Sequence, residues 1–210
     1  MQLLVLATDD LKEELSGTGI NNEIEIIWAK TIDEFSRSQH ADGFLDLLFD
    51  NTPQRIELLK GLSSKPVIIN SVVHSLEKMQ VPFIRINAWP GFLKRSLVEA
   101  SSGDQSHKQK AEKIFSSLYK KIEWVPDQPG FITARVIAMI INEAYFVLEE
   151  EVSTKEEIDI AMKLGTNYPH GPFEWCNKIG IKNIFLLLHE LSKMNSRYKP
   201  ARLLEKEAQV

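Results

Sequence analysis

The adjacent cations Lys94 and Arg95, in the segment Gly91-Phe92-Leu93-Lys94-Arg95, are the residues whose types and spacing most directly suggest a ligand. Two neighbouring basic side chains can hold a phosphate or a carboxylate, and Arg85 and Asn87 lie just upstream at the end of an apolar run, Phe83–Asn87. The bland alternative is a solvated loop with Phe92 tucked into the core. Asp46 and Asp50 stand four apart in a second apolar run, so a strand there places both on one face. Beside a cleft they would raise each other's pKa, and elsewhere they are surface charges. His40, His74, His107, His170 and His189 lie far apart in no H-x-x-x-H or H-E-x-x-H pattern, so no metal site is expected. Cys176 is the sole cysteine, which excludes an intrachain disulfide and points to a reducing, cytoplasmic home.

A dinucleotide site would need G-x-G-x-x-G directly after the first strand, where backbone N–H groups and a helix start can approach the pyrophosphate. That place is Ala7-Thr8-Asp9-Asp10-Leu11, with no glycine and two carboxylates. Gly17-Thr18-Gly19 follows the first helical segment and reads as its C-cap and turn.

These residues need a frame, and the patterning supplies one. The chain has 210 residues with ordinary globular composition, 43% hydrophobic and 26% charged. A net charge of −4 gives no basic field for nucleic acid or an anionic membrane surface. Residues 1–125 alternate apolar runs (Leu3–Ala7, Ile24–Ala29, Phe44–Phe49, Val67–Ser71, Phe83–Asn87) with amphipathic segments such as Asp10–Leu15, Pro53–Leu62 and His107–Lys121. This predicts an α/β fold, a reduced Rossmann-like doubly wound sheet. Pro126-Asp-Gln-Pro-Gly130 reads as a boundary, and residues 126–210 as an all-α domain. Within it Phe131–Leu148 is almost wholly apolar, but Arg135, Asn142 and Glu143 would be costly in lipid, so it is a core helix rather than a membrane span. A helix apolar all round needs cover on every side, which predicts a homodimer through the C-terminal helices, the alternative being cover by the α/β half of the same chain. The helix after Ser153-Thr154 is expected to end at Gly165, and Ile179–Met194 to form the last helix.

Several motifs occur in one order: Asp127-Gln-Pro-Gly-Phe-Ile132 followed by Arg135, Asn142-Glu143-Ala144, Ile158-Asp159 through Gly165, and Tyr168-Pro-His-Gly-Pro-Phe-Glu174. Together they resemble the C-terminal domain of the 3-hydroxyacyl-CoA dehydrogenases. Upstream, Ala41-Asp42 through Asn51, Val67–Ser71, and Phe83–Pro90 leading to Leu97-Val98-Glu99 resemble successive strands of the same family's N-terminal domain. The resemblance implies NAD as cofactor, an acyl-CoA ligand and oxidation of a 3-hydroxyacyl-CoA. It implies a histidine base, a glutamate orienting that base, and a serine and an asparagine holding the substrate oxygen.

Matched position by position, Glu99 falls on the glutamate and Asn87 on the asparagine of the strand motif. Ile84 stands at the histidine, Ala134 at the asparagine that follows the P-G-F-I motif, and Val72 or Val73 near the serine. Isoleucine cannot accept a proton and Arg85 stays protonated, so neither replaces the base. His74 is the nearest histidine in sequence to the relevant strand ends. The expectation is a catalytically degenerate family member in which Glu99, Asn87, Arg85, Lys94 and Arg95 are candidate site residues, kept for binding acyl-CoA or another ligand or for dimerisation. An active dehydrogenase with an atypical site and a pure interaction module are the alternatives.

Overall fold

The computed structural model describes residues 1–37 and 40–209, and it divides into two compact units, Met1–Phe131 and Ile132–Val210. Unit 1 opens on β1 (Gln2–Leu6), whose apolar run is buried on both faces, as a central parallel strand requires. It is followed by α1 (Asp9–Ser16), β2 (Glu25–Ala29), α2 (Ile32–Arg37), β3 (Gly43–Asp46), α3 (Pro53–Lys60), β4 (Val67–Asn70) and α4 (Leu76–Met79). Then come β5 (Ile84–Ile86), β6 (Leu97–Ser102), α5 (Lys108–Ser117) and β7 (Lys121–Trp124).

The seven strands lie in the order β2-β1-β3-β4-β5-β6-β7. Neighbours are parallel except β5 and β6, which are antiparallel. The chain steps outward from β1 to β2 and then returns past β1 to β3, so the topological switch lies between β1 and β3. Alternation along each strand feeds two cores. Leu3, Val5, Leu45, Ile68, Ile84 and Ile86 pack on one face, and Leu4, Leu6, Phe44, Val67, Ile69 and Phe83 on the other. The doubly wound α/β expectation is met.

Local differences have local causes. The run expected as Phe44–Phe49 leaves the sheet after Asp46, because Asp46 accepts from Leu48 N–H in a tight turn. Asp46 and Asp50 therefore do not share a strand face: Asp46 is buried, while Asp50 is exposed and holds Thr52 at the start of α3. The segment expected as one helix, His107–Lys121, stops at Ser117, and Tyr119 turns the chain with a φ of 54° into β7. Pro126–Phe131 belongs to unit 1.

Unit 2 is helical: α6 (Thr133–Glu149), α7 (Lys155–Thr166), α8 (Pro172–Ile179), α9 (Ile181–Ser192) and α10 (Arg202–Ala208). The capping box at Thr154 and Glu157 opens α7 as expected. Its end lies past Gly165, at Asn167, which takes the left-handed conformation that asparagine tolerates (φ 56°). The last expected helix is split by Gly180, at a φ of 93°, and α10 follows beyond it. Among the described residues no helix is long and apolar enough to cross a membrane.

Candidate active site

The structure brings Asn87 and Glu99 together. Asn87 follows β5 and Glu99 lies in β6, and the antiparallel register sets the Asn87 N–H on the Glu99 carbonyl at 3.1 Å. The Asn87 Nδ2 donates to Glu99 Oε2 at 3.1 Å, and both residues are buried. A carboxylate tied to an amide is positioned and hydrogen-bonded, but an amide carries no titratable proton acceptor. Ile84 lies in β5 opposite Ser102, buried in the first core cluster. Nothing at that position can take a proton.

Arg85, expected to meet a ligand, is instead fully buried and answered by the chain. Its Nε donates to Asp127 Oδ1 at 2.5 Å, Nη1 to the Ser71 and Val72 carbonyls at 3.0 and 3.5 Å, and Nη2 to the Gln128 carbonyl at 2.7 Å. The Phe131 ring lies 4.1 Å from its guanidinium carbon. Arg85 thus fastens Asp127–Phe131 to the sheet, with Gly130 N–H adding a bond to the Val72 carbonyl at 2.8 Å.

Lys94 and Arg95 are exposed on the loop between β5 and β6. The loop beneath them is built rather than loose. Glu14 of α1 accepts the Gly91 N–H at 2.7 and 2.9 Å, and Lys120 donates to the Leu93 and Arg95 carbonyls at 2.5 and 3.2 Å. Phe92 and Leu93 are buried, and the Arg95 guanidinium stacks 4.7 Å from the Phe92 ring. Gly91 has a φ of 89°, a conformation that explains a glycine there. Burial pushes the Lys120 ammonium below its ordinary pKa, against the opposing pull of Glu14. Glu14 and Lys120 carry no local signal, since each sits among other charges like a surface residue.

Of the histidines considered, His107 contacts the Ser63 carbonyl at 3.1 Å and His170 stacks edge-on against Trp175. Among the described residues no cluster of three or more His, Cys, Asp or Glu could hold a metal ion.

In unit 2, Asp159 of α7 accepts the Phe173 and Glu174 N–H groups at 2.8 and 3.1 Å, capping α8 from outside. Gly171 lies directly under that carboxylate, where a Cβ would come within 2.2 Å of Asp159 Oδ1. Lys155 donates to both Glu207 oxygens at 2.8 Å, and Tyr145 donates to Glu207 Oε2 at 2.7 Å. Burial pushes the Cys176 thiol up to about 11, so it is a core residue and not a nucleophile. Asn142 clamps the approach to α10, donating to the Lys199 carbonyl at 3.0 Å and accepting the Ala201 N–H at 2.9 Å. The motif residues of this half therefore secure helix ends and crossings.

Residues 130–209, nearly all of unit 2, match the family model described as 3-hydroxyacyl-CoA dehydrogenase, C-terminal domain. Unit 2 is thus similar to the C-terminal domain of the 3-hydroxyacyl-CoA dehydrogenases. The chain is 36% identical over 115 residues to the 3-hydroxyadipyl-CoA dehydrogenase of Escherichia coli (strain K12), a stretch covering 54% of this chain but only 24% of that relative. It is 28% identical over 221 aligned residues to a "Probable 3-hydroxybutyryl-CoA dehydrogenase" of Bacillus subtilis (strain 168), covering 96% of this chain and 75% of the relative. The crystal structure of (S)-3-hydroxybutyryl-CoA dehydrogenase from Ralstonia eutropha superposes with a TM-score of 0.76 at 20% identity, covering 98% of this chain and 92% of that one. That likeness fixes the fold of the dehydrogenase-like chain.

The family suggests NAD, and the residues present do not fit it. The β1–α1 turn is Ala7-Thr8-Asp9, with Thr8 capping α1 by accepting the Leu11 N–H at 3.4 Å and with Asp9 and Asp10 in the first turn. Two carboxylates at the helix start oppose a pyrophosphate there. Among the described residues one strand, β2, lies beyond β1, where the usual dinucleotide sheet has two. Ala29-Lys30 occupies the end of β2 where an acid would meet a ribose. The nearby Glu34 carboxylate accepts the Lys30 N–H at 2.8 Å as part of the start of α2.

Proposed function

We propose that this chain is a catalytically silent member of its family, kept as a dimerising frame that can present a ligand site rather than as a hydride-transfer enzyme. The observation that carries this is the buried Asn87–Glu99 pair together with Ile84, a core residue, at the position of the base: the orienting carboxylate is in place and the base it would orient is not. General-base chemistry needs an acceptor with a pKa near neutrality within hydrogen-bond reach of the substrate hydroxyl. Ala134 leaves a second polar role empty.

Dimerisation is supported by unit 2. Along α7, Ile160 and Leu164 are four residues apart, hence on one face, and stand 52% and 83% exposed. Val136 of α6 and Leu186 of α9 are also exposed. Such apolar stripes on a single chain mark surfaces that another molecule covers. The proposed partner is a second copy, and the compartment a cytoplasmic, reducing one, in keeping with a lone buried Cys176. An acyl-CoA or another small molecule remains the proposed ligand; no nucleic acid or membrane partner is proposed.

The deciding experiment mixes purified protein with acetoacetyl-CoA and NADH, and in the reverse direction with 3-hydroxybutyryl-CoA and NAD, and follows absorbance of the reduced cofactor. No turnover above buffer is expected, and none is expected of Ile84→His. Measurable turnover by the unmodified chain would overturn the proposal. Light scattering on the same sample is expected to give a dimer that Leu164→Glu shifts toward monomer. A monomer at every accessible concentration removes the dimerising role.

A further inference from the structure

One side of α6 holds the C-terminal stretch of unit 2 in place. Asn142, Tyr145 and Glu149 stand three and four residues apart, hence on one helix face. Asn142 holds the chain on both sides of Pro200, through the Lys199 carbonyl and the Ala201 N–H. Tyr145 holds Glu207, and Glu149 Oε1 accepts the Leu203 N–H at 2.5 Å. Residues 199–207 therefore form a fixed wall. On α9, Phe185, His189 and Ser192 stand four and three residues apart, again on one side. Between these two walls lies a cleft of about 360 Å³, within the size range of ligand sites, to which Ser196, Lys199 and Glu205 also contribute.

The rings of Phe185 and His189 lie 5.7 Å apart, centre to centre, with their planes tilted by 30°, and give the cleft an aromatic side. Ser192 Oγ donates to the His189 carbonyl at 2.8 Å and keeps its lone pairs for a donor. Elsewhere in this unit exposed lysines close on neighbouring carboxylates, as Lys193 does on Glu190 and Lys155 on Glu207, each at 2.8 Å. Lys199 and Glu205 do not: among the described residues neither side chain has a hydrogen-bond or ion-pair partner, and both border the cleft. An anion alone would meet Glu205 there and a cation alone Lys199, whereas a molecule carrying both charges satisfies both. The rings ask in addition for an apolar body. We propose that the cleft binds a free α-amino acid with an aromatic side chain, its carboxylate on Lys199, its ammonium on Glu205 and its ring against Phe185 and His189. The site lies wholly within unit 2, so it holds whatever chemistry unit 1 has lost or kept.

The probe is L-phenylalanine, titrated into the full chain by calorimetry, with the histidine ring resonances followed by NMR. Saturable binding is expected with a Kd of about 1 mM or tighter. It is expected to shift the His189 resonance, which is identified by its loss in His189→Gln. L-Phenylalaninamide lacks the carboxylate and N-acetyl-L-phenylalanine the ammonium, and each is expected to bind about tenfold more weakly, the worth of one hydrogen bond to a charged group. Lys199 and Glu205 are exposed, so their substitution leaves the fold intact. Lys199→Gln is expected to abolish the preference over the amide, and Glu205→Gln the preference over the acetylated form. No saturation up to about 10 mM overturns the proposal, as does binding that leaves His189 unshifted. Equal binding of all three probes overturns it too, since the rings alone would then be the site.

Discussion

A fully buried guanidinium has to be answered donor by donor, and at Arg85 the answer is one carboxylate, three carbonyls and an aromatic face. Removing one partner of such a pair leaves the other uncompensated, a loss of about 3–5 kcal/mol where the partner stays buried. Asp127 is 24% exposed, so water can rescue it in part, and Arg85→Met is expected to cost nearer about 3 kcal/mol by urea unfolding. Asp127→Asn leaves the fully buried guanidinium without its counter-charge and is expected to cost at least as much; a clearly smaller loss would show that the hydrogen bond, which an amide oxygen still accepts, holds the connector and not the charge. Gly171 makes the complementary case, in which the requirement is for an absent atom. A methyl group there would press into the Asp159 carboxylate that caps α8. Gly171→Ala is expected to cost about 2 kcal/mol or more, combining overpacking with a disturbed cap, in the same assay. Asp159→Ala is expected to cost about 1–2 kcal/mol from the cap alone, and the double variant to cost less than the sum.

At the scale of elements, the Gly91–Arg95 loop is organised by two side chains that belong to neither flanking strand, Glu14 and Lys120. The folded pKa of Lys120 lies below its ordinary 10.5 because burial disfavours the ammonium. Between the folded value and 10.5 the unfolded chain binds more protons than the folded one, so this residue makes stability rise with pH across that alkaline window. Lys120→Met is expected to remove that rise and to speed amide exchange in residues 91–95, as read by hydrogen–deuterium exchange; unaltered exchange there would mean that Glu14 and the buried Phe92 suffice. The parallel strands were legible because fully buried strands are plain apolar runs, as in Leu3–Ala7 and Val67–Ser71. The antiparallel β6 was not: Leu97-Val-Glu-Ala-Ser-Ser102 has a mixed pattern and becomes a strand through its register with β5. Asn87 and Glu99 could be named from their motif, and the register then joined them. Arg85 was named but misplaced, since its partner Asp127 is 42 residues away and nothing local announces a contact at that separation. Gly165 looked like a helix end by type, yet the chain turned at Asn167, the second of two permissive residues, and nothing packed around Gly165 decides between them.

Across the whole molecule the carboxylates whose pKa the fold moves sort into two groups by the sign of their coupling to folding. Asp9, Asp42 and Asp104 in unit 1 and Glu157, Glu174 and Glu207 in unit 2 are all held below their ordinary values. For Asp9 and Glu174 the main cause is a lysine partner. For Asp42, Asp104 and Glu157 it is hydrogen bonds from nearby backbone or hydroxyl groups, and for Glu207 burial is outweighed by Lys155 and Tyr145. Stability from these groups is fully present above the unfolded values near 3.8 and 4.5, and is lost as pH falls through the folded ones. Asp46 has the opposite sign, because burial raises it despite the Arg55 bonds. Between 3.8 and its folded value the native state binds the extra proton, so acidification there stabilises unit 1 through this residue while the others weaken it. Asp46→Asn is therefore expected to steepen the acid-induced loss of stability in unit 1 and to leave the slope in unit 2 unchanged. Fluorotryptophan resonances separate the two, since Trp28, Trp89 and Trp124 report on unit 1 and Trp175 on unit 2. A steeper loss at Trp175, or a shallower one at the unit 1 tryptophans, would contradict the sign assigned to Asp46, and with it the burial of that carboxylate beneath Arg55 at the end of β3.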